Sequence, residues 1–282
     1  MNIKRHLLYG TYRLLKKIGY FEGLNQFFRI GKILLFHRVA PYGDGFLTTS
    51  TLIFEGLMRE ISSNFKPVPL QDVIERIKNR KPIDPKTVVI TFDDNYRDTF
   101  LHAVPILLKY DIPATFFITS GFINSDRHYP WDAEKRFKYP MMRWEDVKEI
   151  VTLGFEVGCH TVNHVNLGNV HLQVARDEIF DSKDQIENRI GRVVQSFAFP
   201  FGRKDCIIDE VRQFVKEAGF ECCCSAYGGK VTENSNLYDL HRIPEYQTLI
   251  EFLMELDHFN THFDGRMSIN LFGDKGKFLI GN

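Results

Sequence analysis

The sequence predicts an α/β protein built on a parallel sheet that closes into a barrel, and three observations carry that prediction. Seven β-rich runs, at 32–39, 87–94, 114–120, 156–161, 196–202, 221–226 and 240–245, recur along the chain. Several are near-continuously apolar, as strands covered on both faces are. Helical patterns separate most of them, and strand–helix alternation is the signature of parallel pairing. Seven units in 282 residues suit one closed domain, since α/β barrels run to roughly 250 residues.

Residues 1–31 read as a basic amphipathic helical segment ahead of the barrel domain at 32–282. Residues 1–38 hold eight Lys/Arg against one acid, Glu22, a local charge of +7. Leu7, Leu14, Ile18 and Phe21 recur at helical spacing, while Arg13, Lys16 and Lys17 point elsewhere. Gly10, Gly19 and Gly23 predict two short helices rather than one long one. Such a stripe suits either peripheral contact with an anionic membrane or packing on the domain behind it. Further on, a helix is expected over 98–110, interrupted or offset by Pro105. Others are expected over 143–153 with Gly154 as its C-cap, over 174–190 up to Gly191, and over 209–218 up to Gly219. A C-terminal helix and tail complete the chain.

Composition narrows the function classes. Hydrophobic residues at 44% and charged residues at 26% supply a full core and exclude global disorder. Thirty-six basic residues balance thirty-six acidic ones, which gives no footing to a dedicated nucleic-acid binder. Cys159, Cys206, Cys222, Cys223 and Cys224 form no C-x-x-C pair and no disulfide framework. No run of eighteen apolar residues and no signal-peptide pattern is present. The expectation is a reducing, cytoplasmic compartment, with the basic N-terminus able to meet the inner membrane face.

Chemistry concentrates at the ends of the β-runs, where barrels of this class carry their active residues. The run VVITFDD ends in Asp93 and Asp94. Neighbours on a strand point to opposite sides, but at a strand end both can bend toward one pocket. A lone pair of this kind also suits a helix N-cap. The run EVGCHTVNH places His160 and His164 four residues apart at another strand end. Two imidazoles and one carboxylate make the usual ligand set of an open zinc site. If Asp94 ligates, Asp93 is left as general base for an activated water. A developing oxyanion needs a fixed donor, and the Phe201 N–H in SFAFPFG is the candidate, between Pro200 and Gly202.

The motifs TFDDNYRDTF, PILLKYDIPATFFITSGFI, MRWEDVKEIVTLGFEVGCHTVNH and SFAFPFG together resemble the polysaccharide deacetylase family (carbohydrate esterase family 4, NodB-homology domain) over roughly residues 33–246. The resemblance implies a distorted, TIM-like (β/α)7 barrel and a divalent metal, usually zinc, with cobalt or another transition ion as substitutes. It also implies hydrolysis of N-acetyl groups on amino sugars. Carried over, Asp93 matches the catalytic base, Asp94, His160 and His164 the metal ligands, and Phe201 the oxyanion position. Two departures stand out. Asn95 replaces the usual Gly, and Asn tolerates a left-handed backbone next best. Ala198 replaces an Arg that braces the catalytic Asp, and Arg242 in LHRIPEY is the candidate substitute.

The leaving amine needs an acid. His37, in ILLFHRVAP, and His241 are the two candidates. Trp131, Tyr129 and Trp144 are aromatic candidates for a sugar platform, with Trp131 the best placed. Cys159 should point away from the metal, and Cys222–Cys224 should fill a buried strand. The reading is a metal-dependent N-deacetylase of a glycan or lipid-linked saccharide. A hydrolase of another C–N amide and a non-catalytic carbohydrate-binding homologue are the alternatives.

Overall fold

The computed structural model describes residues 3–21, 30–42, 47–133 and 139–257. It divides into two compact units, residues 29–247 and residues 1–28 with 248–282. The smaller unit draws on both ends of the chain. Helix α1 (Ile3–Lys17) and the last helix, α8 (Leu249–Leu256), pair there around Tyr12, Phe21 and Met254. The expected break at Gly10 is absent, because the helix passes through it. The chain turns at Gly19 instead, where φ is +72°. Residues 22–29 and the tail from 258 lie outside the described residues.

The larger unit is the barrel. Strands β1 (Lys32–Phe36), β5 (Thr87–Phe92), β6 (Ala114–Ile118), β7 (Glu156–Cys159), β8 (Ser196–Ala198) and β9 (Cys222–Cys224) lie side by side in the order β1-β5-β6-β7-β8-β9. All these pairings are parallel. The ring closes through the run expected at 240–245. Leu240 bridges Cys224 of β9, and Ile243 bridges Leu34 of β1, both in parallel. Ile243 N–H donates to Ile33 O, and Leu35 N–H to Ile243 O, each at 2.8 Å. This seventh stave makes isolated bridges rather than a regular strand, and Pro244 supplies no N–H to extend it. The sheet is the closed α/β barrel that the sequence predicts.

Every residue of β1, β5, β6 and β9 is buried, which explains their largely apolar character. Aromatic rings fill much of the interior. Phe92 stacks on Phe116 at 4.8 Å, and Phe36 meets Phe54 edge-on at 5.2 Å. Each buried ring of this kind contributes about 1.5–3 kcal/mol.

The first β-run splits at His37. Beyond it β2 (Arg38–Ala40) leaves the barrel sheet and pairs with β3 (Thr48–Ser50). Two helices not anticipated follow, α2 (Thr51–Asn64) and α3 (Leu70–Lys78), with the short β4 (Lys66–Pro67) between them pairing with β5. Ser50 caps α2 by accepting from Ile53 N–H at 3.3 Å. The other α-helices described in the larger unit are α4 (Arg97–Lys109), α5 (Trp144–Thr152), α6 (Leu172–Ile190) and α7 (Asp209–Glu217). α4 runs through Pro105 unbroken, on an exposed face of the helix where Leu101, whose carbonyl loses its partner, is exposed as well.

Candidate active site

The site is built where β5, β7, β8 and the closing segment end. β5 stops at Phe92, and Asp93 continues its inward face, two residues on from buried Thr91. Asp94 then breaks the alternation, because its φ is +71°, and Asn95 follows at +41°. Both carboxylates therefore serve one pocket. Asn95 does more than tolerate the turn. Its Oδ1 accepts from Thr119 N–H at 2.8 Å, tying the end of β5 to the end of β6. A glycine could make the turn but not this tie.

The two histidines leave β7 through a similar strained turn, with Thr161 at φ +65° and His164 at +55°. Thr161 Oγ1 accepts from His164 N–H at 2.9 Å. Glu178, buried on α6, clamps the turn from behind. It accepts from Val162 N–H at 2.9 Å, from Asn163 N–H at 2.7 Å and from Asn163 Nδ2 at 2.6 Å. Phe201 also sits in the left-handed region, at φ +62°. Residues in this conformation cost of order 1–3 kcal/mol each, and five of them at one site mark where the fold spends stability on placement.

Asp94, His160 and His164 are all buried, and one ligand atom from each lies within 4.8 Å of the others. Asp94 Oδ1 stands 3.4 Å from His160 Nε2 and 3.2 Å from His164 Nε2. His160 Nδ1–H donates to Ala198 O at 2.8 Å, so its Nε2 carries a lone pair toward the carboxylate. Asp94 Oδ1 has no hydrogen-bond partner among the described residues. Burial pushes His164 below its usual range and so favours the neutral, ligating form. Lone pairs from two nitrogens and an orphaned buried oxygen converging on one point are what a divalent cation requires, and the residues fit one.

Asp93 stands beside this triad, its Oδ2 3.8 Å from His160 Nε2. Arg242 forks it from the closing segment, with Nη1 2.8 Å from Oδ1 and Nη2 2.7 Å from Oδ2. The guanidinium is fully buried and otherwise occupied by Ser225 O at 2.7 Å and Thr91 Oγ1 at 3.3 Å. Burial alone would raise Asp93, but the charge of Arg242, with His160, carries it below the ordinary range. Ala198 is packed in the barrel core, and the Arg242 guanidinium lies over the Phe117 ring at 5.4 Å.

His37, at the break between β1 and β2, donates through Nδ1 to Glu245, 3.1 and 3.0 Å from its two oxygens. Burial lowers an imidazole, yet Glu245, aided by Asp94 and Asp93, raises this one to about 9. Glu245 was not singled out from the sequence, although it lies only three residues beyond Arg242. His241 faces away from Arg242 and packs on Tyr227 at 4.8 Å, with Asp239 at 3.8 Å. Cys159 is buried, with its thiol pushed up by desolvation, and the three strand cysteines fill the core.

An aromatic stack forms one wall. Phe122, Tyr129 and Trp131 lie parallel, at 4.4 Å and 4.7 Å between successive rings. Tyr129 is fully buried, and Trp131 is the half-exposed outer layer. Trp131 meets His164 at 5.3 Å and Phe201 at 6.2 Å, both edge-on. Its indole N–H donates to Tyr96 Oη, which in turn donates to buried Asp132. Trp144 instead opens α5 beside Arg189, at 5.6 Å.

Known proteins are similar to this chain. YxkH of Bacillus subtilis (strain 168) is 25% identical over 213 residues, which are 75% of this chain and 70% of that one. The poly-beta-1,6-N-acetyl-D-glucosamine N-deacetylase of Staphylococcus aureus (strain N315) is 27% identical over 175 residues, 59% of this chain and 57% of its own. The fold is that of the Streptococcus pyogenes deacetylase PplD, solved in complex with acetate, at TM-score 0.69 and 22% identity, covering 80% of this chain and 98% of that one. The family model described as "Polysaccharide deacetylase" matches residues 80–223. That span holds Asp93, Asp94, His160, His164 and Phe201, while His37, Arg242 and Glu245 join the site from outside it. The chain belongs to the polysaccharide deacetylase family.

Proposed function

We propose that the protein is a metal-dependent N-deacetylase acting on N-acetylated amino sugars of a glycan or lipid-linked saccharide. The observation that carries the reading is the Asp94–His160–His164 convergence with Asp93 beside it, held by Arg242. A divalent cation on the three ligands, zinc or a substitute such as cobalt, supplies Lewis acidity that polarises the acetyl carbonyl and lowers the pKa of water.

The chain's own residues do the rest. Asp93 takes the proton of the attacking water, and Arg242 keeps its carboxylate ionised and aimed. The Phe201 N–H, in its fixed left-handed turn, meets the oxyanion. His37, held by Glu245 and protonated at neutral pH, gives a proton to the departing amine. Trp131 offers its exposed face to the sugar ring or the acetyl methyl. The Staphylococcus aureus relative acts on poly-beta-1,6-N-acetyl-D-glucosamine, and oligomers of N-acetylglucosamine are the first substrates to try.

The test is amine release from such oligomers with zinc or cobalt added. Asp93→Asn should lower turnover per folded molecule by about 10²–10⁴-fold while metal uptake holds, with Tm lowered because buried Arg242 loses its counter-charge. Equal turnover in that variant, or a folded sample that takes up no transition metal, overturns the reading.

A further inference from the structure

Deacetylation makes no use of one surface on the smaller unit. α1 has two apolar faces. Leu8, Tyr9, Tyr12 and Leu15 cluster with Phe21, Ile250, Leu253 and Met254. Tyr12 Oη donates to Asp257 at 2.6 Å, which fixes the rotation of the helix. On the other side Leu7, Leu14 and Ile18 are 67%, 61% and 67% exposed. Ile18 N–H still donates to Leu14 O at 3.2 Å, so the helical register holds that far. At about 100° per residue the three side chains fall within an arc of roughly 40°.

Arg13 and Lys17 are exposed along one edge of this stripe, and neither makes an ion pair among the described residues. Lys16 differs, lying 3.2 Å from Asp257. No Asp or Glu occurs in residues 1–21. Single exposed leucines are ordinary. Three on one line, bordered by unpaired cations, are the pattern of a helix lying in a membrane interface. A second copy of the chain suits the stripe less well, because in an antiparallel two-fold pairing of the helices Arg13 and Lys17 would share one side of the seam with their own like charges.

We infer that α1 seats the protein on an anionic lipid surface, with Leu7, Leu14 and Ile18 entering the acyl boundary and Arg13 and Lys17 on the headgroups. No described helix is long and apolar enough to cross a membrane, so the contact lies along the surface.

The test is sedimentation of the full chain with phosphatidylcholine vesicles, with and without roughly 30% phosphatidylglycerol. The protein should pellet with the anionic vesicles alone, and less so as salt rises. Leu7→Ser/Leu14→Ser/Ile18→Ser should weaken partitioning at least about tenfold, and Arg13→Glu/Lys17→Glu by a similar factor. Both variants should keep wild-type Tm and turnover on a soluble oligosaccharide. Three results would each overturn the inference: no pelleting with anionic vesicles, a triple serine variant that partitions like wild type, or a dimer in solution that the triple variant abolishes.

Discussion

A single carboxylate, Asp93, carries the demands of the site, and its neighbours explain how it meets them. It is buried and paired to Arg242 through two hydrogen bonds. Removing one member of a buried pair costs about 3–5 kcal/mol, because the other is left uncompensated. Arg242→Met should lower Tm accordingly in thermal melts. In the pH–rate profile it should move the acidic limb upward, since the charge that most strongly opposes burial at Asp93 is then lost. An unchanged acidic limb with full activity would remove Arg242 from the mechanism. His37 predicts the other limb. Its folded pKa, about 9, lies above the ordinary 6.5, so the protonated form is favoured by the fold. Its contribution to stability is complete below about 6.5 and fades as pH rises through about 9. Activity that needs His37 as an acid should fall over the same upper range. Glu245→Gln should bring that fall down toward 6.5, and a profile that stays put would point to another acid.

Among elements, the turn between β7 and α6 repays study, because it holds both histidines. Glu178 accepts three hydrogen bonds there and touches no ligand side chain. An amide at this position would oppose N–H donors with its own NH2. Glu178→Gln should therefore weaken cobalt binding by about 10–100-fold in a spectroscopic titration, with a smaller change in Tm. Much of the site was legible in the sequence at this level. The D-D pair, the H-x-x-x-H spacing and the Pro–Phe–Gly turn are local, so consecutive residues carry them. Asn95 was legible as a left-handed residue, but not as the tie to Thr119, which joins two strands. Glu178 and Glu245 act on residues 15 and 208 positions away, and spacing along a chain says nothing about such partners. α2 and α3 were missed although Phe54, Leu57, Met58 and Ile61 recur at helical intervals, because the β-runs on either side drew the reading.

For the whole molecule, the barrel is closed by a stave that makes isolated bridges rather than a ladder. Five of the strand pairings along the sheet form ladders or register contacts, whereas the segment from Leu240 to Ile243 bridges its neighbours at two points. Ile243 is buried against β1. Ile243→Ala should cost about 2–5 kcal/mol in denaturant melts. Turnover should fall by more than the loss of folded protein explains, because Arg242 rides on the same segment. Retained turnover per folded molecule would show that Arg242 is held without its neighbour. The segment also delivers Glu245, so one seam carries the counter-charge of Asp93, the proposed proton acceptor, and the partner of His37, the proposed donor. If that seam parts transiently, both ends of the proton transfer are disarmed together while the Phe-lined interior stays intact. In rising urea, catalysis should vanish before fluorescence or circular dichroism reports any melting, and amides at 240–245 should exchange ahead of those in β5 and β6.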